Sequence, residues 1–77
     1  MKITIGIADD HQLFLKSLTI LINSFHHFQI ILEALNGQVL MEKLSKLSIT
    51  PDILLIDVNM PIKNGVQTAT EVSEKYQ

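Results

Sequence analysis

Cysteine is absent from the 77 residues, and so is arginine. The first absence excludes disulfide frameworks, thiolate metal sites and cysteine nucleophiles, and it is compatible with a reducing compartment. The second leaves six lysines as the whole basic complement against eight acids, a formal net charge of −2. Those lysines are scattered rather than clustered, so this segment lacks the electrostatic footprint of a nucleic-acid binder. Also missing is any apolar run long enough to span a membrane. The N-terminal apolar stretch from Ile3 to Ile7 meets Asp9 and Asp10 too soon to be a signal-peptide core. Together these absences predict a soluble cytoplasmic protein.

What remains is compact and apolar. Hydrophobic residues make up 47% and charged residues 18%, which is too apolar for a disordered segment. A chain this short sits near the lower limit for a core without disulfides or metals, so one domain of marginal stability is expected over residues 1–77.

Elements alternate along the chain. Ile3-Thr4-Ile5-Gly6-Ile7-Ala8 is short, apolar and β-branched and ends in two acids, the pattern of a strand whose C-terminal end faces solvent. From Leu13 the period changes, with Phe14, Leu18, Leu21, Ile22 and Phe25 at helical spacing and Asp10 placed to cap the helix. His26 and His27 close it. Phe28 to Ala34 reads as a second strand, although Leu32 and Ala34 would also suit a helix. Asn36-Gly37 breaks the chain, Asn36 serves as a helix cap, and Val39, Leu40, Leu44 and Leu47 form an amphipathic stripe with Glu42, Lys43 and Lys46 outward. After Thr50-Pro51-Asp52, the unbroken run Ile53-Leu54-Leu55-Ile56 suits a parallel strand covered on both faces and ends in Asp57. Met60 to Gly65 is a loop by composition, and Val66, Ala69, Val72 and Tyr76 mark a third helix. The βαβαβα order predicts an α/β fold with a parallel sheet and right-handed crossovers.

In open parallel sheets, ligands bind beyond the carboxyl ends of the strands, where strand order reverses. If the strand order is 2-1-3, that point lies between the first and third strands, and Asp9, Asp10 and Asp57 would converge there although far apart in sequence. Three carboxylates in one crevice repel one another and are tolerable chiefly when a cation neutralises them. All-oxygen ligation with few protein ligands is the preference of magnesium, which commonly bridges carboxylates to a phosphate. A carboxylate nucleophile attacking a phosphoryl donor gives an aspartyl-phosphate, with charge neutralisation and positioning doing most of the work.

Asp9-Asp10-His11, Asp57-Val58-Asn59-Met60-Pro61 and Gly65 resemble the receiver domains of two-component response regulators. Glu33-Ala34 followed by Asn36-Gly37, and Pro51-Asp52 before the third strand, are similar to the NarL/LuxR-type branch. The resemblance runs through the whole chain and implies a partial flavodoxin-like fold. It further implies that Asp57 is the phosphoacceptor, Asp10 a direct Mg2+ ligand, Asp9 a ligand through water, and Asn59 a ligand through its backbone carbonyl. Gly65 would give the backbone a conformation that other residues resist. The implied partner is a sensor histidine kinase, and the implied role is a phosphorylation switch rather than an enzyme.

The family has five βα units and this sequence supplies three, so the resemblance implies a truncated receiver without an output domain. The Ser or Thr and the Lys that the family places after its fourth and fifth strands have no counterpart; Lys63, Thr68 and Thr70 do not match those positions. An apolar third strand then becomes a sheet edge, and such edges invite pairing with another chain. A homodimer through that edge is therefore expected, and the alternative to the switch is a truncated, phosphorylation-independent module that associates with itself or with a complete receiver. Plainer roles compete at each position: Asp57 as an acid ending a buried strand, Asp9 and Asp10 as cap and solvated turn. His11, His26 and His27 read as residues in contact with water and the helix dipole rather than as a transition-metal site.

Overall fold

The computed structural model describes residues 2–76. Its elements are β1 (Ile3–Ala8), α1 (Gln12–Asn23), β2 (Phe28–Ala34), α2 (Gly37–Lys46), β3 (Ile53–Ile56) and α3 (Gly65–Lys75). The three strands are parallel, as the alternation of elements predicts, and lie in the order β2-β1-β3 that the family resemblance implies.

One face of the sheet carries α1. Ile5, Ile7 and Leu15 are buried there, with Leu18, Ile22, Phe28 and Ile30 packed around them. The other face carries α2 and α3 over a larger cluster of Ala8, Leu32, Ala34, Leu40, Met41, Leu44 and Met60. Each fully buried side chain of this kind contributes about 1.5–3 kcal/mol. The ambiguity of Phe28 to Ala34 has a structural origin. The pairing register slips between Ile5/Gly6, so that Ile30 faces Ile5 and Leu32 faces Gly6. One inserted residue lets Phe28 and Ile30 serve the α1 face while Leu32 and Ala34 serve the other, which breaks the period of two that a regular strand would show.

The helices confirm the expected elements but rotate two of the expected faces. In α1 the buried residue is Leu15, whereas Phe14 and Leu21 are more than half exposed, as is Phe25 in the turn that follows the helix. In α3 the fully buried side chain is Thr68, and Val66 is 64% exposed. Thr68 satisfies its hydroxyl by donating to the Asn64 carbonyl at 2.7 Å, so a polar residue occupies the contact that sequence pattern assigns to an apolar one. Asn36 caps α2 as expected, its side chain accepting from the Val39 N–H at 2.9 Å. Asp10 does not cap α1: the N-cap is His11, which makes no side-chain cap bond. His26 and His27 lie in the turn after α1 rather than within it.

Two contacts position the β3 end of the sheet. Asp52, read from sequence as punctuation and as part of the family resemblance, clasps β1: its carboxylate accepts from the Thr4 N–H at 2.9 Å and from the Thr4 hydroxyl at 3.1 Å, and its own N–H donates to that hydroxyl at 3.0 Å. Gly65 is needed for space rather than for an unusual conformation, because no glycine among the described residues has a positive φ. A Cβ on Gly65 would stand 2.2 Å from the Asp57 carbonyl oxygen and 2.7 Å from the Val58 Cα. All of these atoms are backbone of the Asp57–Val58 segment, which has no flexible side-chain end to give way. Gly65→Ala is therefore expected to cost at least about 1–3 kcal/mol, measured as a lowered urea midpoint at unchanged m-value; an unchanged midpoint would sink this account of the helix entry.

Candidate functional site

The acids are placed by the ends of the ladder. The Asp9 N–H donates to the Ala34 carbonyl at 3.0 Å, continuing the β1–β2 pairing, and the Asp57 N–H donates to the Ala8 carbonyl at 2.9 Å, continuing β1–β3. Each aspartate is thus the first residue beyond its strand, with its backbone still held by the sheet. Asp10 follows on the turn into α1.

The result is a cluster in which one ligand atom from each of Asp9, Asp10, His11 and Asp57 lies within 4.8 Å of the others. Asp9 is the most enclosed carboxylate, Asp57 is intermediate and Asp10 more open. Asn59 stands on the exposed loop after β3, and its N–H reaches the Asp57 carboxylate at a long 3.4 Å. An open cleft beside the cluster is lined by Asp9, His11, Leu13, Phe14, Ser17 and Asp57.

His11 is the member that sequence reasoning set aside. Its Nδ1 lies 2.8 Å from Asp9, 3.3 Å from Asp10 and 3.9 Å from Asp57, and Asp9 also accepts the His11 backbone N–H at 2.8 Å. The signal was present in the motif, since a histidine immediately after two acids at a strand end shares their turn. His26 and His27 are not part of the cluster. Nor are Lys63, Thr68 and Thr70. The Lys63 ammonium pairs with Glu71, and the two hydroxyls donate to helical carbonyls.

The donor set suits a hard divalent cation. Three carboxylates converge without a lysine among them, and the basic group facing them among the described residues is the His11 imidazole. Such crowding of oxygen donors is the environment in which Mg2+ is bound through a few carboxylates and water.

The same crowding acts on His11. Its hydrogen bond to Asp9, followed by the charges of Asp10 and Asp9, raises its pKa above the ordinary 6.5. A raised folded-state pKa means that the imidazolium's contribution to stability is complete below about pH 6.5 and is lost as pH rises through the folded value. In metal-free protein, the His11 ring proton resonance should therefore titrate with a midpoint above 6.5, and Asp9→Asn should bring it down. A wild-type midpoint at or below the ordinary value would remove the imidazole from the cluster.

Comparison with known proteins gives a consistent result. The family model described as the response regulator receiver domain matches residues 5–77. The transcriptional regulatory protein DegU of Brevibacillus brevis is 33% identical over 75 residues, covering 97% of this chain and 31% of DegU. Among solved structures, the response regulator domain of Thermotoga maritima CheB superposes with a TM-score of 0.89 at 25% identity, covering 99% of this chain and 55% of that one. The signal receiver domain of NarL from Mycobacterium tuberculosis gives 0.83 at 27% identity, covering 95% of this chain and 57% of the other. The chain thus spans about a third of DegU and little more than half of each solved receiver. A match over all but the first four residues, on a flavodoxin-like 2-1-3 sheet, makes this chain a member of the response regulator receiver domain family of two-component systems.

Proposed function

We propose that this chain acts as a phosphoacceptor switch in which Asp57 receives a phosphoryl group from a sensor histidine kinase, with Mg2+ held by Asp9, Asp10, Asp57 and the backbone carbonyl of Asn59. On this reading residues 1–77 form one unit, the first three βα units of a receiver. The single observation that carries it is the convergence of Asp9, Asp10 and Asp57 within 4.8 Å at the carboxyl ends of β1 and β3. A carboxylate oxygen of Asp57 attacks phosphorus; the new O–P bond forms as the P–N bond to the donor imidazole breaks, and the departing nitrogen takes up a proton from solvent. Mg2+, when bound, supplies neutralisation of the crowded negative charge and of the phosphoryl oxygens. The fold holds the nucleophile still: the Asp57 backbone is fixed by its bond to Ala8 on one side and by the close approach of Gly65 on the other. The product is a charged surface change rather than a released compound, which suits a switch more than an enzyme.

The test is intact mass before and after phosphoramidate with Mg2+. The expected outcome is a gain of one phosphoryl group per chain that Asp57→Asn abolishes and chelation of Mg2+ suppresses. No gain, or a gain that survives Asp57→Asn, contradicts the reading.

A second reading is favoured by the sheet edge. Ile53 and Leu55 are each 41% exposed although their sequence is that of a covered strand, and among the described residues the outer side of β3 has no partner strand. Apolar edges of this kind promote pairing, so we infer a homodimer in which β3 pairs with its symmetry mate, independently of phosphate. Leu55→Lys should then shift the solution molar mass from dimer to monomer. A wild-type chain that light scattering finds monomeric at all concentrations would exclude it.

A further inference from the structure

The least relaxed backbone among the described residues lies in the loop between β3 and α3. Ile62 has a φ of 67°, and the Lys63 N–H donates to the Pro61 carbonyl across it at 2.7 Å. A hydrogen bond spanning one residue of positive φ describes a γ-turn of the rarer, strained form. For a β-branched residue this conformation is an outlier, whereas glycine would adopt it at no steric cost. Several contacts hold it in place. The Lys63 carbonyl accepts from Gly37 at 3.3 Å, the Lys63 ammonium pairs with Glu71, and the Gly65 N–H closes the loop on the Val58 carbonyl at 2.9 Å.

Isoleucine at this position gains nothing inside the molecule, because it is 79% exposed. Strained backbone and solvated apolar surface are thus both accepted at one residue. Val58 and Val66, at the base of the same loop, are 61% and 64% exposed. The bond between Gly65 and Val58 brings the two ends of the loop together, and the loop starts at Asn59, which touches the Asp57 carboxylate. Val58 directly follows Asp57, so this exposed apolar surface begins next to a member of the acid cluster. Strain of this kind persists where surrounding structure over-determines it, and it concentrates at functional sites.

We propose that Ile62 is a specificity-determining docking residue, presented with Val58 and Val66 to the protein that delivers the phosphoryl group to Asp57. This rests on the phosphoacceptor reading above. The occupant is a protein surface with an apolar centre that meets Ile62 and cationic groups beyond it, since the neighbouring surface carries Asp9, Asp10 and Asp57. A small phosphodonor needs no such contact.

The test separates docking from chemistry. The wild-type chain, Ile62→Gly, Ile62→Asn and Ile62→Leu are labelled with phosphoramidate and Mg2+, and in parallel with a panel of purified, autophosphorylated sensor histidine kinase cores. Ile62→Gly and Ile62→Asn should unfold at higher urea than wild type, because they relieve the turn. They should keep phosphoramidate labelling and lose about tenfold in kcat/KM for kinase transfer, mainly through KM. Ile62→Leu, which stays apolar, should retain transfer within about threefold. The docking role is overturned if both polar and glycine variants accept from the kinase as wild type does. It is equally overturned if phosphoramidate labelling falls in step, if Ile62→Gly changes the oligomeric state, or if no core transfers to a wild-type chain that phosphoramidate labels. A wild-type chain that no donor labels overturns the phosphoacceptor reading itself.

Discussion

The parallel pairing of β1 with β3 is the constraint on which the rest of the molecule depends. It joins segments separated by nearly fifty residues, and its last rungs, Ala8 against Ile56 and the Asp57 N–H on the Ala8 carbonyl, set where the two acidic ends emerge. A slip of one residue would turn Asp57 to the opposite face of the sheet. The slip is opposed at both ends of the pair. Asp52 grips Thr4 at the start of β3, and Gly65 presses on the Asp57 backbone at its close. Between them Gly6 leaves room for Leu54, whose methyl would stand 2.7 Å from any Cβ placed there. Three small local devices thus fix one long-range register.

That register also creates the molecule's main electrostatic difficulty. Three carboxylates are held close together by backbone bonds, so repulsion cannot be relieved by moving the strands apart. His11 answers part of it, and it can do so because Asp9 accepts both its backbone and its ring. On the far side of the β3–α3 loop the opposite arrangement appears: Glu71 lies between Lys63 and Lys75, which together hold its pKa below the ordinary carboxylate value. The two clusters are tied to one loop but not to each other. Lys63, on the loop that follows Asp57, pairs with Glu71 of α3 and leaves the carboxylates open to an external cation.

Much of this was legible in the sequence because the governing patterns are local. The six elements follow from alternation of period, and the convergence of Asp9, Asp10 and Asp57 follows from acids at strand ends once the resemblance supplies the 2-1-3 order. Failures came where a tertiary contact overrode the local signal. Phe14 fits the helical stripe as well as Leu15 does, and only the position of α1 over β1 and β2 selects Leu15. Asp10 is a good N-cap by residue type, yet the cluster takes it and α1 starts uncapped by any side chain. Gly65 invites an explanation through conformation, whereas the deciding quantity is the distance to a carbonyl oxygen that no single-sequence pattern encodes. Ile62 is the inverse case, a residue type that argues against the turn it occupies.

The two faces of the sheet are covered unequally, and this asymmetry shapes what the chain can do next. Two helices and the larger cluster protect one side, while α1 alone shields the other and leaves Ile53 and Leu55 half open. The four apolar residues of β3 are thus packed on one face, through Leu54 and Ile56, and left half open on the other. The acid cluster sits at the carboxyl end of that same under-covered strand, with Phe14 and Leu13 lining the cleft beside Asp57. Anything that covers the α1 side of β3 therefore also changes how much water reaches Asp57. Enclosure lowers the local dielectric and strengthens every charge interaction among the acids, so the packing of this face and the chemistry of the site are coupled through one strand.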